Sequence, residues 1–259
     1  MGLFDNVFQK KVCAVCGGEI GLLGNRKLED GNLCKNCAAK LSPWFSERRN
    51  STVEEIKQQL AYREENKKAV AAFNATRVIG DRTKIYVDEN ANKVLFTSAS
   101  NYKDANPDVL DISQIIGTDI DIMDRKTEVK RRDKDGNMVS YMPARYRFYY
   151  DFKCTIRVNH PYFDDIYFNL NASSIETTDS NGAPEMHMPN PRFNYEFRKY
   201  EDMGNEIVDL FLNAKRQPQP VVEEKAPEVK RPAFCPHCGA NVGNNTGNFC
   251  EYCGGSLKG

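Results

Sequence analysis

The sequence predicts an α+β protein assembled from parts: a small cysteine module near each end, a helical connector, and an antiparallel β-rich middle domain closed by a helix. Three observations predict it. Eight of the nine cysteines fall into four Cys-x-x-Cys pairs, two toward each terminus, and only Cys154 is left over. A central stretch alternates apolar and polar residues with the period of a strand. Apolar residues then recur at three- and four-residue steps, ahead of a proline-rich stretch.

Composition bounds what such a chain can do. Lys plus Arg (36) equals Asp plus Glu (36), so the chain is formally neutral, which argues against a protein whose main partner is the nucleic-acid backbone. Mean hydropathy is −0.63, and no apolar run reaches the roughly 18 residues of a membrane span, so no membrane insertion is expected. The first residues, MGLFDNVFQKK, lack the apolar core of a signal peptide, and Asn6 breaks the myristoylation pattern. A cytoplasmic chain is therefore expected. In that reducing setting paired cysteines read as metal ligands before disulfides.

The first module spans 10–41 and contains CAVCGGEIGLLGNRKLEDGNLCKNC. Zinc takes four soft ligands in a tetrahedron, about 2.3 Å from each sulfur. A Cys-x-x-Cys turn brings two sulfurs to one point, and a second turn completes the shell. Cys13, Cys16, Cys34 and Cys37 are the candidate ligands, with 17 residues between the inner pair, inside the usual zinc spacing. Gly17 and Gly18 allow a tight turn, Gly31 and Asn32 suggest the return of a hairpin, and CKNCAAKL reads as a helix start. Turn, hairpin, turn, helix is the order of a treble-clef module.

Residues 42–75 read as a helical connector. Pro43 suits a first helical turn, and Ser51 with Glu54 matches a capping box. Val53, Ile56 and Leu60 make a narrow apolar stripe that returns imperfectly at Val70 and Phe73. The rest is charged, so a solvated spacer with one side resting on a neighbour is expected. Trp44, just past the module, is expected to pack on it.

Residues 76–214 form the predicted β-rich domain. TKIYVD and KVLFT flank ENAN as a hairpin, and GTDIDIMDRKTEV with the stretch after RDKDGN makes another, with Pro143 at an edge or bulge. In FYYDFKCTIRV, Phe148, Tyr150, Phe152, Cys154, Ile156 and Val158 share one face, which places Cys154 in the core as a small hydrophobe. DIYFNL repeats the alternation. Phe193, Phe197, Tyr200, Ile207, Leu210 and Phe211 mark an amphipathic helix on the sheet. Several antiparallel strands followed by one helix resemble the pleckstrin-homology-like superfold, a likeness of architecture over 76–214 that says little about function.

Residues 215–233 are a Pro-rich linker with too few large apolar residues to fold. A zinc ribbon at 234–257, tethered by that linker, follows, with Cys235, Cys238, Cys250 and Cys253 as candidate ligands and 11 residues between its inner pair. His237 lies inside the first turn, but four cysteines already fill the shell.

A catalytic zinc keeps an open position, whereas a four-cysteine site is closed, so two structural zinc ions per chain are expected. Modules this short have too small a core to fold without metal. A thioredoxin-like Cys-x-x-Cys needs a strand-helix-strand setting that the sequence lacks. Each filled site carries a net charge of about −2, taking the chain to about −4.

The run CAVCGGEIGLLGNRKLEDGNLCKNCAAKLSPWFSERR, about 10–50, resembles the zinc-finger module called domain of unknown function 4428, common in Gram-positive bacteria. Its paired cysteines, GGEIGLLGNRKLEDG and LSPWFSERR carry the resemblance. It implies a bacterial zinc-binding protein and brings no catalytic residues. The C-terminal module is similar to the zinc ribbon appended to many bacterial proteins.

Other features weigh less. The hairpin RKTEVKRRDKDG is basic but interspersed with acids, as a solvated turn would be. The ENAN loop lacks the Lys and Arg with which some pleckstrin-like domains hold phosphoinositides. Met186, His187 and Met188 sit alone in a Pro-rich loop, and Asp164 and Asp165 have no partner for acid–base work. No phosphate-binding glycine loop or nucleophile elbow is present. The sequence therefore predicts a non-enzymatic adaptor or scaffold that recognises a protein partner. Nucleic-acid binding through the zinc modules and basic hairpin is second, and a thiol redox enzyme third.

Overall fold

The computed structural model describes residues 11–177, 184–216, 234–242 and 251–253. The chain forms two compact units, Met1–Gln217 and Pro218–Gly259. Of the linker expected at 215–233, residues 215 and 216 instead continue the closing helix, and 217–233 lie outside the described residues.

The first unit opens with Lys11–Val12 (β1) paired to Glu19–Ile20 (β2), then the hairpin Asn25–Lys27 (β3) and Asn32–Cys34 (β4), then the single turn Lys35–Ala38 (α1). Leu28 and Leu33 are fully buried between these pieces, with Ile20 and Leu41 beside them.

The connector is helical over a shorter span than 42–75. Residues 43–50 form turns and one 3-10 stretch, and the α-helix runs Val53–Ala72 (α2). Its capping box is Thr52 with Glu55, one residue later than expected. Ser51 is occupied elsewhere, donating its hydroxyl to the Glu47 carbonyl while its own carbonyl takes the Glu29 N–H. Asp30, in the β3–β4 turn, accepts the Val53 N–H at 2.7 Å, so the cysteine module itself supplies a carboxylate to the helix N-terminus.

The buried stripe of α2 is Ile56, Gln59, Arg63, Asn66 and Val70. That is helical spacing, so one side of α2 rests on its neighbours and the rest is solvated, as expected, but the resting side is filled largely by polar side chains rather than by an apolar stripe. Ile56 packs on the cysteine module, and Phe73, past the helix end, packs on Tyr86 and Leu95.

Strands Arg77–Ile79 (β5), Lys84–Asp88 (β6), Lys93–Thr97 (β7) and, after the short helix Tyr102–Ala105 (α3), Val109–Asp111 (β8) form an antiparallel meander. The β6–β7 hairpin is the one expected around ENAN. Ile85, Val87, Val94 and Phe96 face the main core, while Tyr86 and Leu95 face Phe73. With both faces covered, β6 and β7 read as continuous apolar runs.

The second sheet is built on Met138–Val158 (β10). Ile115–Arg132 (β9) pairs along one edge, and Asp165–Asn169 (β11) and Ile175–Thr177 (β12) share the other. Pro143 lies in the register shift between Ser140 and Arg145, at an irregularity as expected. Phe148, Tyr150, Phe152, Cys154, Ile156 and Val158 are all buried. Between the segments paired to β11 and β12, Asn171 Oδ1 accepts the Phe152 N–H at 2.8 Å and fills the gap in the ladder. Helix Tyr195–Arg216 (α4) closes the core with Phe197, Tyr200, Ile207 and Phe211. Phe193 precedes this helix and is exposed, so it is not part of the apolar face.

Trp44 also departs from expectation. It packs against the core of the β domain, while its neighbour Phe45 packs on the cysteine module.

Candidate metal centre

Cys13 follows β1, and the chain turns back on itself at once. Gly17 donates to the Cys13 carbonyl at 2.8 Å, and the Cys13 N–H donates to the Gly18 carbonyl at 2.9 Å. Gly17 has φ +71°, which a side chain would oppose. The second pair sits at the junction of β4 and α1. Cys34 is the N-cap of α1, its sulfur accepting the Cys37 N–H at 3.4 Å, while its own N–H donates to the Cys13 sulfur at 3.3 Å.

These elements bring the sulfurs of Cys13, Cys16, Cys34 and Cys37 within 4.8 Å of one another. Cys16 and Cys34 are 3.8 Å apart. A tetrahedron with about 2.3 Å metal–sulfur bonds has edges of about 3.8 Å, so the spacing suits a soft divalent ion. Burial resists ionisation of Cys13, yet the backbone N–H groups of Cys16, Cys34 and Val15 outweigh it and draw the thiol down to about 6. Burial pushes Cys37 up, helped by the neighbouring sulfurs. Four like thiolates therefore need a cation to be charged together. The group contains four sulfurs and leaves no fifth donor among the described residues.

The second unit repeats the turn. Cys235 N–H donates to the Ala240 carbonyl at 2.8 Å, and Gly239 donates to the Cys235 carbonyl at 2.9 Å. Gly239 has φ +73°, and Phe234 bridges to Asn241. The sulfurs of Cys235, Cys238 and Cys253 lie within 4.8 Å of one another, with Cys235 and Cys253 at 3.7 Å. Cys250, the fourth expected ligand, lies outside the described residues. His237 meets the Cys235 sulfur through its backbone N–H at 3.4 Å. Two cysteine clusters, one of four and one of three, could thus hold metal ions.

Cys154 belongs to neither. It is fully buried in the β core, and burial pushes its thiol up to about 12. Met186 and Met188 are half exposed, and no further cluster of His, Cys or acids fit for a metal occurs among the described residues. The polar stripe of α2 escaped the sequence reading. Its signal was the spacing of Gln59, Arg63 and Asn66 in phase with Ile56 and Val70.

The family described as Domain of unknown function (DUF4428) matches residues 11–59. The match runs past Cys37, the last ligand of this module, into the first turns of α2, where Asp30 caps the helix and Ile56 closes the module's core. No curated protein and no solved structure matches the chain significantly. No helix among the described residues is long and apolar enough to cross a membrane.

Proposed function

We propose that the chain is a zinc-binding, non-enzymatic adaptor of the cytoplasm, holding one ion on Cys13, Cys16, Cys34 and Cys37 and a second on Cys235, Cys238, Cys250 and Cys253. The observation that carries this reading is the closed set of four sulfurs at the N-terminal centre. Reactive zinc needs a vacant position for water, whereas a filled sulfur shell supplies folding energy and shape. The treble-clef reading is supported by the order of turn, hairpin and one-turn helix. The pleckstrin-like reading is supported by a four-stranded meander, a second sheet and a closing helix around one core.

On this reading the metal shapes a surface that faces a protein partner. Residues between Trp44 and Gln58, and the segment from His160 to Tyr167 that runs into β11, enclose a groove of about 740 Å³. Its walls include Phe45 and Tyr167 and the carboxylates of Glu47, Glu55, Asp164 and Asp165, with no Lys or Arg. Aromatic faces beside carboxylates that have no cationic partner among the described residues suit a cation-bearing segment of that partner.

Metal analysis of the purified chain should return two zinc ions per chain. Chelation should shift the emission of Trp44, the chain's one tryptophan, as the wall beside it loses its support. A chain purified without stoichiometric metal, or one whose Trp44 emission ignores chelator, sinks the reading.

A further inference from the structure

The basic hairpin looks like a mixed-charge surface in the sequence. Strand geometry sorts it. Successive side chains of a strand point to opposite faces, and directly paired residues share a face. Arg145 pairs with Val129, Arg147 with Thr127, and Tyr149 with Arg125; Val139 pairs with Arg131 beyond the bulge. One face of the β9–β10 ribbon therefore carries Arg125, Arg131, Arg145 and Arg147, interleaved with Thr127, Val129 and Tyr149. The acids Asp124 and Glu128 fall on the other face, with Lys126 and Lys130.

Three further observations bear on this face. From Asp121 to Arg132 every residue of β9 except Val129 is exposed. Beyond the Glu185 bridge to Tyr146, β9 and β10 pair only with each other among the described residues, so the hairpin end is a free two-stranded ribbon. Arg63, Arg77, Arg147, Arg157 and Arg192 each hold a carboxylate, whereas Arg125, Arg131 and Arg145 have no carboxylate partner among the described residues. Instead the Arg125 guanidinium lies 4.4 Å over the Tyr149 ring and that of Arg145 lies 5.4 Å from the Tyr141 ring. Stacking orders the planar groups and leaves N–H donors for a bidentate acceptor.

Neutrality of the whole chain does not cancel this charge. Arg131 lies ten residues along the strand from Asp121, about 33 Å at 3.3 Å per residue. Charges of the core at that distance are screened, because the Debye length is about 8 Å at physiological salt. Locally, from Arg125 to Arg147, eight Lys or Arg face three Asp or Glu, a net of +5. One of the three, Asp133, is engaged in the turn, accepting the Asp135 and Asn137 N–H groups.

We infer that the arginine face of the β9–β10 arm, formed by Arg125, Arg131 and Arg145, binds the phosphodiester backbone of a nucleic acid. A two-stranded β-ribbon fits the major groove of a DNA duplex, and exposed Tyr and Arg planes also suit the bases of a single strand. Asp133 and Asp135 at the tip oppose an anionic membrane. The arm belongs to the β domain, so the inference does not depend on what the cysteines hold.

Fluorescence anisotropy tests it, using the full chain with a labelled 24-base-pair DNA duplex, an RNA duplex of the same sequence and the single DNA strand. At least one form binds at 50 mM NaCl, and affinity falls roughly 40-fold by 200 mM, as three phosphate contacts require. Arg131→Glu with Arg145→Glu weakens binding at least tenfold more than Lys126→Glu with Lys130→Glu, an equal charge change on the opposite face. All four positions are exposed, and unchanged melting temperatures confirm intact folding. Failure to bind any of the three probes, equal loss from the two pairs, or capture by phosphatidylserine vesicles without nucleic-acid binding overturns the inference.

Discussion

Arg63 donates to Asp108 at 2.6 Å, and both side chains are almost completely buried, at 7% and 1% exposure. Asp108 also accepts the Ser42 hydroxyl at 2.7 Å, and Arg63 donates to the carbonyls of Lys40 and Asn106. Asn66 extends the set, donating to the Pro107 carbonyl and accepting the Val109 N–H. The network ties the end of the cysteine module, the middle of α2 and the entry to β8 to one carboxylate. It explains why the module and the β domain belong to one compact unit.

Removing one member of a buried pair strands the other. Arg63→Ala and Asp108→Ala should each lower unfolding stability by about 3–5 kcal/mol. The double variant Arg63→Leu, Asp108→Leu should be destabilised by much less than the two losses combined. Urea unfolding of the three proteins measures both effects. Additive losses would mean that the ion pair is not the joint.

His160 gives the β domain a pH dependence. Its Nδ1 accepts the Tyr162 N–H at 3.3 Å, so the neutral ring carries its proton on Nε2, facing the Tyr62 hydroxyl at 3.2 Å. Burial holds it below its usual value of 6.5, although Asp108 pulls the other way. The unfolded chain therefore takes up the proton first. The stability is fully present above about pH 6.5 and is lost as pH falls through the lower folded value. The urea midpoint should drop between pH 7.5 and 5.5, and His160→Gln should flatten part of that drop. Asp81, held below its usual range by Lys199 and Tyr200, acts only below about pH 4.

The two kinds of cysteine should separate chemically. Cys154 is fully buried with its thiol pushed up to about 12, so it lacks both access and thiolate. A thiol reagent at pH 7.5 should find few reactive groups in the metal-loaded chain and eight after chelation. The ninth should appear only in denaturant. A reactive Cys-x-x-Cys pair in the metal-loaded chain would revive the redox reading.

Legibility followed burial. β10 announced itself because one face is buried and apolar, so Phe148 through Val158 alternate visibly. The N-terminal knuckle was legible because Gly17 and the paired cysteines are local requirements. The face that α2 buries was only half legible because Gln59, Arg63 and Asn66 are polar: Arg63 and Asn66 meet Asp108 and Pro107 some 40 residues away in sequence, and the buried Gln59 amide has no partner among the described residues. The capping box slipped by one because Ser51 with Glu54 and Thr52 with Glu55 both satisfy the pattern. Only the bonds of Ser51 to the Glu47 carbonyl and the Glu29 N–H decide between them. The arginine face was hidden for a different reason. Parity along β9 is readable, but assigning Arg145 and Arg147 to the same face needs the register across the Pro143 irregularity.

Gly204 sets how closely α4 approaches the second sheet. A Cβ there would lie 3.1 Å from Ile120 Cγ2 and 3.3 Å from its Cγ1. Glycine in a helix interior costs about 1 kcal/mol relative to alanine. The crowding acts against a side chain that is only partly buried and can yield by a few tenths of an ångström. The two effects nearly cancel, so Gly204→Ala should change stability by less than about 1 kcal/mol. Gly204→Leu adds bulk that Ile120 cannot accommodate, and should lose about 1–3 kcal/mol. Thermal unfolding of the pair distinguishes close packing from mere flexibility: a leucine as well tolerated as alanine would mean that α4 does not rest on β9 at this point.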